Sequence, residues 1–527
     1  MHRLTRLITK NAILTGIFIA SMLTWTQVRA ADLREAVDPA LARVARRWEV
    51  SARIIEVASG RVLYSLGADE PLIPASVNKV VTSVAALESL GADAEFVTRI
   101  YARGAVREGR LEGDIIIRGG GDPNISGRFY NGDAMELVRK WVAIVAASGI
   151  RTVSGGVIAD DTIFDRQYLH PEWPADQQMR WYTAQVSGLA FNDNCADIYI
   201  RSEKNNGSLT FTVQSVPDVP EAISLLPGLV VSPKEKSPML NLTRPLDQNA
   251  ISVRGRMPAR EGTFGPFYIT LNNVPLVFAE LFKQELKRNS VEVLGAASVA
   301  EARPDYSASD MKILLEHSST LSQTIWVMNK HSQNFYAECV LKYLGAVKGG
   351  EGSFSAGAGV VEKVLAKMEV PLDGVRYVDG SGLAKTNRIT ATALTELLRR
   401  AALRDYAGQF VETLSASGEQ EGTLRRRLTQ PAYEGRIRAK TGTIKNVSTL
   451  AGYAVTADER PRLAFAMLMN KLSGPGDARA VQDTVCRAMV DWVDRQGYKI
   501  EISQSQINTR IKPSSKESSE GGEEPAD

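Results

Sequence analysis

The stretch "PASVNKVVTSVAALESLG", residues 74–91, places Ser76 three positions before Lys79 at the start of an apolar run. Positions i and i+3 lie on adjacent turns of an α-helix, about 60° apart, so a hydroxyl and an amine at this spacing can meet. The apolar residues that follow recur at helical spacing, and Gly91 predicts the end of the helix. The stretch therefore predicts a helix whose first turn carries either a nucleophile beside its base or a serine that caps the helix.

A lysine activates a serine only when its amine is neutral. Deprotonating an ordinary lysine, with a pKa of about 10.4, costs ~4.6 kcal/mol at pH 7. Burial lowers a lysine pKa by up to about 5 pH units, and a second cation nearby lowers it further. The nucleophile interpretation of Ser76 and Lys79 therefore requires a desolvated pocket and, preferably, a second lysine. Without them, a capping serine is the simpler interpretation.

Two later stretches contain short polar motifs. Ser-Gln-Asn occupies 332–334 within "MNKHSQNFYAE", and Lys-Thr-Gly-Thr occupies 440–443 within "AKTGT". Alone, the first motif is also typical of a polar turn before a helix, and the glycine of the second would only weaken a strand. In this order, however, Ser-x-x-Lys, Ser-x-Asn and Lys-Thr-Gly are the combined signature of active-site-serine penicillin-recognising enzymes.

The three motifs and their flanks resemble the class C low-molecular-mass penicillin-binding proteins, a family of exported D-alanyl-D-alanine carboxypeptidases and endopeptidases. The resemblance extends from the first predicted hairpin to about Gln496. Ser332 follows Ser76 by 256 positions, far more than in β-lactamases, as expected for a family with large modules inserted there. Further stretches similar to the family's are "GGGDP" (119–123), "VDGSGLAKTNRIT" (378–390), "EGTLRRRL" (421–428) and "AKTGTIKNVSTLAGYAV" (439–455).

The middle motif departs from the commonest family pattern. Gln333 stands where many relatives have an aspartate. Its side chain is expected to point away from the hydroxyl and the amide of its neighbours, Ser332 and Asn334. We therefore expect the departure to leave the activity intact.

The resemblance implies a role for each motif residue. Ser76 is expected to attack the carbonyl of the penultimate D-alanine and form an acyl-enzyme, while Lys79 takes its proton. Lys440 is expected to supply the second cation, Ser332 to relay a proton to the leaving amine, and Asn334 to hold Lys79 and the substrate amide. The predicted catalytic residues are Ser76, Lys79, Ser332, Asn334 and Lys440, and the predicted substrate-binding residues are Lys440, Thr441, Gly442 and Thr443.

The resulting functional hypothesis is a serine carboxypeptidase and endopeptidase that acts on peptidoglycan stem peptides and cross-links and binds penicillin covalently. Backbone N–H groups of Ser76 and Thr443 are expected to form its oxyanion hole. The predicted partners are peptidoglycan peptides and β-lactam antibiotics, and the oligomeric state stays open. A β-lactamase is one alternative, although no equivalent of the acidic deacylating residue of some β-lactamases is recognised. A catalytically inactive wall-binding scaffold is the other.

Composition limits the remaining classes. With 44% hydrophobic and 23% charged residues, the bulk of the chain is expected to fold. The 63 basic and 60 acidic residues nearly balance, so no nucleic-acid partner is predicted. Histidines are too few to favour a metal site or a Ser-His-Asp triad, and no cofactor or metal is predicted; they are His2, His170, His317 and His331. The cysteines are expected to be buried apolar residues with at least one free thiol; they are Cys195, Cys339 and Cys486.

The N-terminus has the pattern of a secretory signal peptide. Basic residues precede an apolar segment at 12–25, and "TQVRAAD" contains a small-residue cleavage pattern that predicts cleavage after Ala30. The alternative is a signal anchor, but the segment is shorter than the ~20 apolar residues of a span. A periplasmic location is therefore predicted, with no transmembrane segment in the mature chain. No amphipathic membrane anchor is predicted in the polar tail from Asn508.

Strand signals at both ends of the chain predict one shared sheet. Residues 51–69 form a predicted hairpin, and strands are predicted at 435–443, 448–456 and 462–470, the last two antiparallel. A helix is predicted from Asp477 to Gln496. The predicted fold is α+β: a penicillin-recognising serine transpeptidase/β-lactamase-like domain, an antiparallel sheet flanked by helices, with large inserted β-rich domains.

The middle of the chain has a different residue pattern from its two ends. Short alternating runs with Gly, Pro and Asp punctuation predict β-rich inserted modules, and helical signals return at Pro275 and strengthen over 313–345. The family resemblance implies two nested modules. The predicted organisation is a signal peptide (1–30), a first catalytic part (31–93), the insertions (94–270), a second catalytic part (271–505) and a disordered tail (506–527).

Overall fold

A computed structural model describes residues 33–496 of the chain. The predicted signal peptide (1–30) and the predicted tail (506–527) lie outside these residues. The helices are α1 (33–45), α2 (Asn78–Leu90), α3 (Glu136–Ala147), α4 (Val274–Arg288), α5 (Leu321–Lys330), α6 (Asn334–Leu344), α7 (Phe354–Lys367), α8 (Ala391–Ala401), α9 (Ala407–Thr413) and α10 (Pro475–Arg495).

Nineteen strands belong to four sheets in the described part of the chain. They are β1 (Glu49–Glu56), β2 (Val62–Leu66), β3 (Glu95–Arg107), β4 (Arg110–Arg118), β5 (Thr152–Val153), β6 (Val157–Asp160), β7 (Cys195–Asn205), β8 (Ser208–Val216), β9 (Ser224–Ser232), β10 (Met239–Thr243), β11 (Ala250–Pro258), β12 (Gly262–Thr270), β13 (Glu292–Val293), β14 (Ala297–Val299), β15 (Met311–Thr320), β16 (Ser415–Ala416), β17 (Ile437–Ile444), β18 (Val447–Val455) and β19 (Pro461–Asn470).

One antiparallel sheet is assembled from both ends of the chain, as predicted. Its six strands have the order β16-β17-β18-β19-β1-β2. The predicted hairpin is confirmed by the pairing of β1 with β2, and the three predicted C-terminal strands pair antiparallel as β17, β18 and β19. β1 joins the two groups by pairing with β19 over its whole length.

The sheet has apolar residues on both faces because both faces are covered by helices. Along β19, the large residues Phe465 and Met467 pack with α1 and α10, while the small residues Ala464 and Ala466 face the opposite helical layer. This period of two follows from the alternation of side chains across a strand. The central strands β18 and β19 are therefore buried almost throughout, and the motif on β17 pairs directly with β18.

Helix α2 is the centre of the opposite layer. It packs against α5, α6, α7 and α8, and its residues from Asn78 to Leu87 are buried. A helix surrounded by other helices needs an apolar surface on nearly every side, which explains its many Val and Ala residues. Gly91 ends it with a positive φ of 83°, as predicted, and donates its N–H to the Leu87 carbonyl.

Residues 95–320 form the remaining three sheets. A seven-stranded sheet combines β3, β4, β5 and β6 with β13, β14 and β15, and strands β7–β12 form two three-stranded sheets. Helix α3, which the sequence did not predict, packs with α4 in the core of this segment. Because β15 pairs with β3, strands on either side of residue 270 share one sheet. We therefore propose that the insertion extends to about residue 320, with residues 195–270 nested inside it.

Helical signals at 275 and at the C-terminus correspond to α4 and α10. The predicted helical region from 313, by contrast, begins with β15, and helix follows only from Leu321. The side chain of Thr320 accepts a hydrogen bond from the Gln323 N–H, which caps the start of α5. The prediction of helix was thus wrong for residues 313–320. Their backbone groups form hydrogen bonds with β3 instead of within a helix.

The three cysteines are buried and unpaired, as expected for small apolar residues. Burial raises the pKa of the Cys486 thiol to about 12, which makes it unreactive near neutral pH. Among residues 33–496, no helix combines the length and apolar character needed to cross a membrane.

Candidate active site

Ser76 lies in a turn of 3-10 helix, Ala75–Val77, immediately before α2. The helix cap is Val77, and no side chain caps the helix, so the capping interpretation of Ser76 is wrong. The Oγ atom lies instead 3.1 Å from the Nζ atom of Lys79. Ala75 has a positive φ of 47°, and its carbonyl packs so tightly on Gly382 that a Cβ there would lie 1.9 Å from the oxygen. The turn before the nucleophile is thus held in a strained conformation.

The Nζ atom of Lys79 has three oxygen neighbours. Besides Ser76 Oγ, it lies 2.7 Å from Asn334 Oδ1 and 3.0 Å from the Ser381 carbonyl oxygen. The last two can only accept hydrogen bonds, whereas a hydroxyl can also donate. A neutral amine can therefore donate to both carbonyl oxygens and accept the hydroxyl proton of Ser76 on its lone pair. This is the geometry that a lysine base requires.

The environment of Lys79 favours this neutral form. Its side chain is fully buried, and burial lowers its pKa from 10.5 to about 7, although Glu338 and Asp379 act in the opposite direction. Burial, and then Lys79, hold the pKa of Lys440 well below its ordinary value. The expected desolvated pocket and second lysine are both present, but it is burial that lowers the pKa of Lys79.

The Ser-Gln-Asn motif forms the turn between α5 and α6. Ser332 has a positive φ of 58°, and Asn334 is the first residue of α6. The Asn334 side chain accepts from Lys79 and donates to the Tyr182 carbonyl at 2.9 Å. The side chain of Gln333 points away from those of Ser332 and Asn334, as expected, and donates to Asp193 at 2.7 Å. The turn thereby aims two of its three side chains at the lysines.

Lys440 lies on β17 and reaches the same turn. Its Nζ atom lies 2.8 Å from Ser332 Oγ and 2.9 Å from the Thr441 carbonyl oxygen, and its side chain is fully buried. Two serine–lysine pairs therefore face each other across the site, Ser76 with Lys79 and Ser332 with Lys440. Asn334 belongs to the same turn as Ser332 and contacts Lys79 of the other pair.

Glycine is required at 442 by close packing. A Cβ at Gly442 would lie 2.1 Å from Thr449 Oγ1 and 2.9 Å from the backbone nitrogen of Ser76. The Thr449 hydroxyl itself donates to the Pro74 carbonyl at 2.7 Å. Only a residue without a side chain lets β17 approach the nucleophile turn this closely. The threonine side chains on either side of Gly442 line the same cavity of about 690 Å³ as Ser76.

Two buried carboxyl groups organise the lysine pocket and were not predicted. Glu338 accepts the N–H groups of Gly380 and Ser381 at 2.9 and 2.8 Å. Asp379 accepts the N–H groups of Gly382 and Ala384, both at 2.7 Å, and also binds Asn387 and Trp173 side chains at 2.9 Å each. Burial and Asp379 raise the pKa of Glu338 to about 8. Both groups fix the loop whose Ser381 carbonyl contacts Lys79.

Both residues lie in stretches that the sequence analysis quotes, but the sequence does not show their role. Glu338 ends the quoted stretch "MNKHSQNFYAE", and Asp379 begins the "DGSG" of "VDGSGLAKTNRIT". Their partners are mainly backbone N–H groups, which no side-chain pattern identifies.

A second cavity, of about 630 Å³, lies beside the Ser-Gln-Asn turn but contains neither Ser76 nor a lysine. Gln333 and Asp193 line it, together with Arg128, Trp181 and Tyr268. It is therefore separate from the cavity that holds the paired serines. Within residues 33–496, no three His, Cys, Asp or Glu side chains are arranged to hold a metal ion.

Comparison with known proteins identifies the family of the chain. The model of the D-Ala-D-Ala carboxypeptidase 3 (S13) family matches residues 33–496. A D-alanyl-D-alanine carboxypeptidase of Actinomadura sp. (strain R39) is 32% identical over 481 residues, which cover 89% of this chain and 86% of the relative.

Two crystal structures of penicillin binding protein 4 (dacB) from Haemophilus influenzae share the fold. The first has a TM-score of 0.71 at 21% identity, and the second, complexed with a β-lactam, has 0.67 at 20%; both comparisons cover 88% of this chain and 98% of the other. They confirm the predicted penicillin-recognising α+β fold. Given the family match over all the described residues, the chain belongs to the D-Ala-D-Ala carboxypeptidase 3 (S13) family of serine carboxypeptidases.

Proposed function

We propose that the chain is an exported D-Ala-D-Ala carboxypeptidase and endopeptidase that cleaves peptidoglycan peptides through an acyl-enzyme on Ser76. The observation that carries this proposal is the environment of the Lys79 amine. Two of its three oxygen neighbours, on Asn334 and Ser381, are obligate acceptors, so a neutral amine presents its lone pair to Ser76 Oγ.

Acylation begins when Ser76 Oγ attacks the carbonyl carbon of the penultimate D-alanine and its proton moves to Lys79 Nζ. The developing oxyanion accepts hydrogen bonds from the backbone N–H groups of Ser76 and Thr443. Donors of this kind contribute ~2.7 to 4 kcal/mol each in other serine hydrolases. The close contact of Gly442 with the Ser76 nitrogen supports this arrangement, because it brings β17 beside the nucleophile turn.

The terminal carboxylate of the substrate binds Lys440 with Thr441 or Thr443. The contact of Lys440 with Ser332 supports a proton path through the Ser332 hydroxyl to the leaving amine. When the C–N bond breaks, the leaving D-amino acid departs and water hydrolyses the ester on Ser76. The leaving group is D-alanine in the carboxypeptidase reaction and the amine of a second stem peptide in the endopeptidase reaction.

A β-lactam reacts at the same serine. Its strained amide is opened by Ser76 Oγ, the ring nitrogen takes the proton, and a covalent ester remains. The β-lactam complex of the Haemophilus protein supports this part by analogy of fold. The predicted signal peptide supports action in the periplasm, where these peptides and antibiotics are found.

Release of D-alanine from a pentapeptide ending in D-Ala-D-Ala tests the proposal. The wild type is expected to release it, Ser76→Ala to lose the activity, and Ser65→Ala, a change at an exposed strand serine, to retain it. Conversion of a cross-linked muropeptide dimer to monomers tests the endopeptidase part. Unchanged D-alanine release in Ser76→Ala would refute the assigned nucleophile.

The alternatives make different predictions. An inactive scaffold would release no D-alanine from any substrate. A β-lactamase would hydrolyse a chromogenic cephalosporin for many turnovers, whereas the proposed enzyme is expected to consume about one equivalent and stop.

A further inference from the structure

The active-site cavity has a strongly basic side that the proposed mechanism does not use. Three exposed arginines, Arg425, Arg426 and Arg479, line it together with Ser76 and are named here the arginine rim. No carboxylate among the described residues pairs with any of the three.

A fourth arginine explains how the rim is fixed. Arg427 is bound to Asp483 of α10 through two hydrogen bonds of 2.9 and 2.7 Å. On the other side of the rim, Thr423 Oγ1 lies 2.9 Å from Thr441 Oγ1, and its backbone N–H donates to Ser415 at 3.0 Å. The segment is thus anchored at both ends, and Arg425 and Arg426 extend from the short stretch between the anchors.

The position of the rim identifies which part of a substrate it meets. Thr441 and Thr443 line the same cavity, and the proposed function assigns one of them, with Lys440, to the carboxylate of the residue that leaves. Thr423, two positions before Arg425 in the chain, contacts Thr441, so the segment that carries Arg425 and Arg426 adjoins that carboxylate site. It therefore faces the leaving group, beyond its α-carboxylate.

We infer that the arginine rim binds a second carboxylate on the leaving group, so that acidic peptides are preferred over a lone D-alanine as the departing part. This inference rests on the proposed function. Unpaired guanidinium groups are suited to carboxylates, which they bind through two parallel hydrogen bonds. The rim makes the enzyme more selective for cross-links in which the leaving stem peptide carries additional carboxylates.

Two matched substrates test the inference: an N-acylated peptide ending in D-Ala-D-Glu and its counterpart ending in D-Ala-D-Gln. They differ only in the charge of the leaving residue. The wild type is expected to show a D-Glu/D-Gln ratio of kcat/KM of about three to ten at low salt, since exposed ion pairs are weak individually. At about 0.5 M NaCl, where salt screens exposed charges, this ratio of kcat/KM is expected to approach about one.

Replacement of rim residues separates charge recognition from catalysis. Arg426→Gln/Arg479→Gln is expected to reduce the ratio to about one, whereas Arg254→Gln/Arg260→Gln, which changes exposed arginines of the inserted segment, is expected to preserve it. A wild-type ratio of one or less, a ratio insensitive to salt, or an unchanged ratio in the rim variant would overturn the inference. So would release of D-alanine from D-Ala-D-Ala without any release of D-glutamate. Failure to release D-alanine at all would refute the proposed function instead.

Discussion

The protonation state of Lys79 should control the rate of acylation. Raising the pH from 5 to 9 converts this lysine from its ammonium form to the neutral base, since burial lowers its pKa to about 7. Only the neutral amine can take the proton of Ser76. The acylation rate is therefore expected to rise with pH and to level off above neutrality.

The lowered pKa of Lys79 determines how much the acylation rate changes with pH. A change from 10.5 to about 7 disfavours the buried ammonium by about 5 kcal/mol, at ~1.4 kcal/mol per pH unit. The neutral fraction is then about 1% at pH 5, about half at pH 7 and nearly complete at pH 9. The rate is expected to rise about 50-fold from pH 5 to 7 and only about twofold from pH 7 to 9.

The assay is stopped-flow measurement of the second-order rate constant for acylation by a fluorescent penicillin. Asn334→Asp provides a second arm, because a carboxylate in place of the amide oxygen 2.7 Å from Nζ would favour the ammonium form. Its midpoint is expected to move to higher pH, and its rate at pH 7 to fall. A wild-type rate that continued to rise about 100-fold from pH 7 to 9 would indicate a lysine with an ordinary pKa and exclude Lys79 as a neutral base at pH 7.

Two further substitutions test the packing around the site. Gly442→Ala is expected to lower acylation at least 10²-fold, because its Cβ would displace the Ser76 nitrogen from the oxyanion position. Gly359→Ala, on an open face of α7, serves as its control and is expected to stabilise the protein by about 0.5 to 1 kcal/mol in thermal unfolding. Equal acylation rates in the two variants would contradict the close packing of Gly442 against Ser76. Gln333→Glu would place a second carboxylate against Asp193 in a buried contact. The introduced carboxyl group would have a raised pKa, so Tm should fall at pH 8 and recover toward pH 5; a Tm difference independent of pH would contradict this.

The motif chemistry could be predicted because it depends on spacing within single elements. Ser76 and Lys79 are one helical turn apart, and a glycine inside a strand at 442 indicates close backbone approach. The short apolar runs at each end of the chain likewise predicted strands of the shared sheet, because such runs bounded by turn residues are typical of strands.

Other features depended on contacts between distant residues. Glu338 and Asp379 accept hydrogen bonds from backbone N–H groups of a loop, and the sequence stretches that contain them do not identify these partners. The capping interpretation of Ser76 failed because capping depends on backbone conformation, and the turn around Ala75 has a positive φ that composition does not predict. Strand β15 was read as helix because its pairing partner, β3, lies about 200 residues earlier in the chain.

A covalent intermediate on Ser76 can be observed by intact-mass measurement and peptide mapping after incubation with benzylpenicillin. One added penicillin per chain is expected, located on the peptide that contains Ser76, in the wild type and in Ser65→Ala. No adduct is expected in Ser76→Ala. An adduct located on any other residue, or one that persists in Ser76→Ala, would show that Ser76 is not the nucleophile.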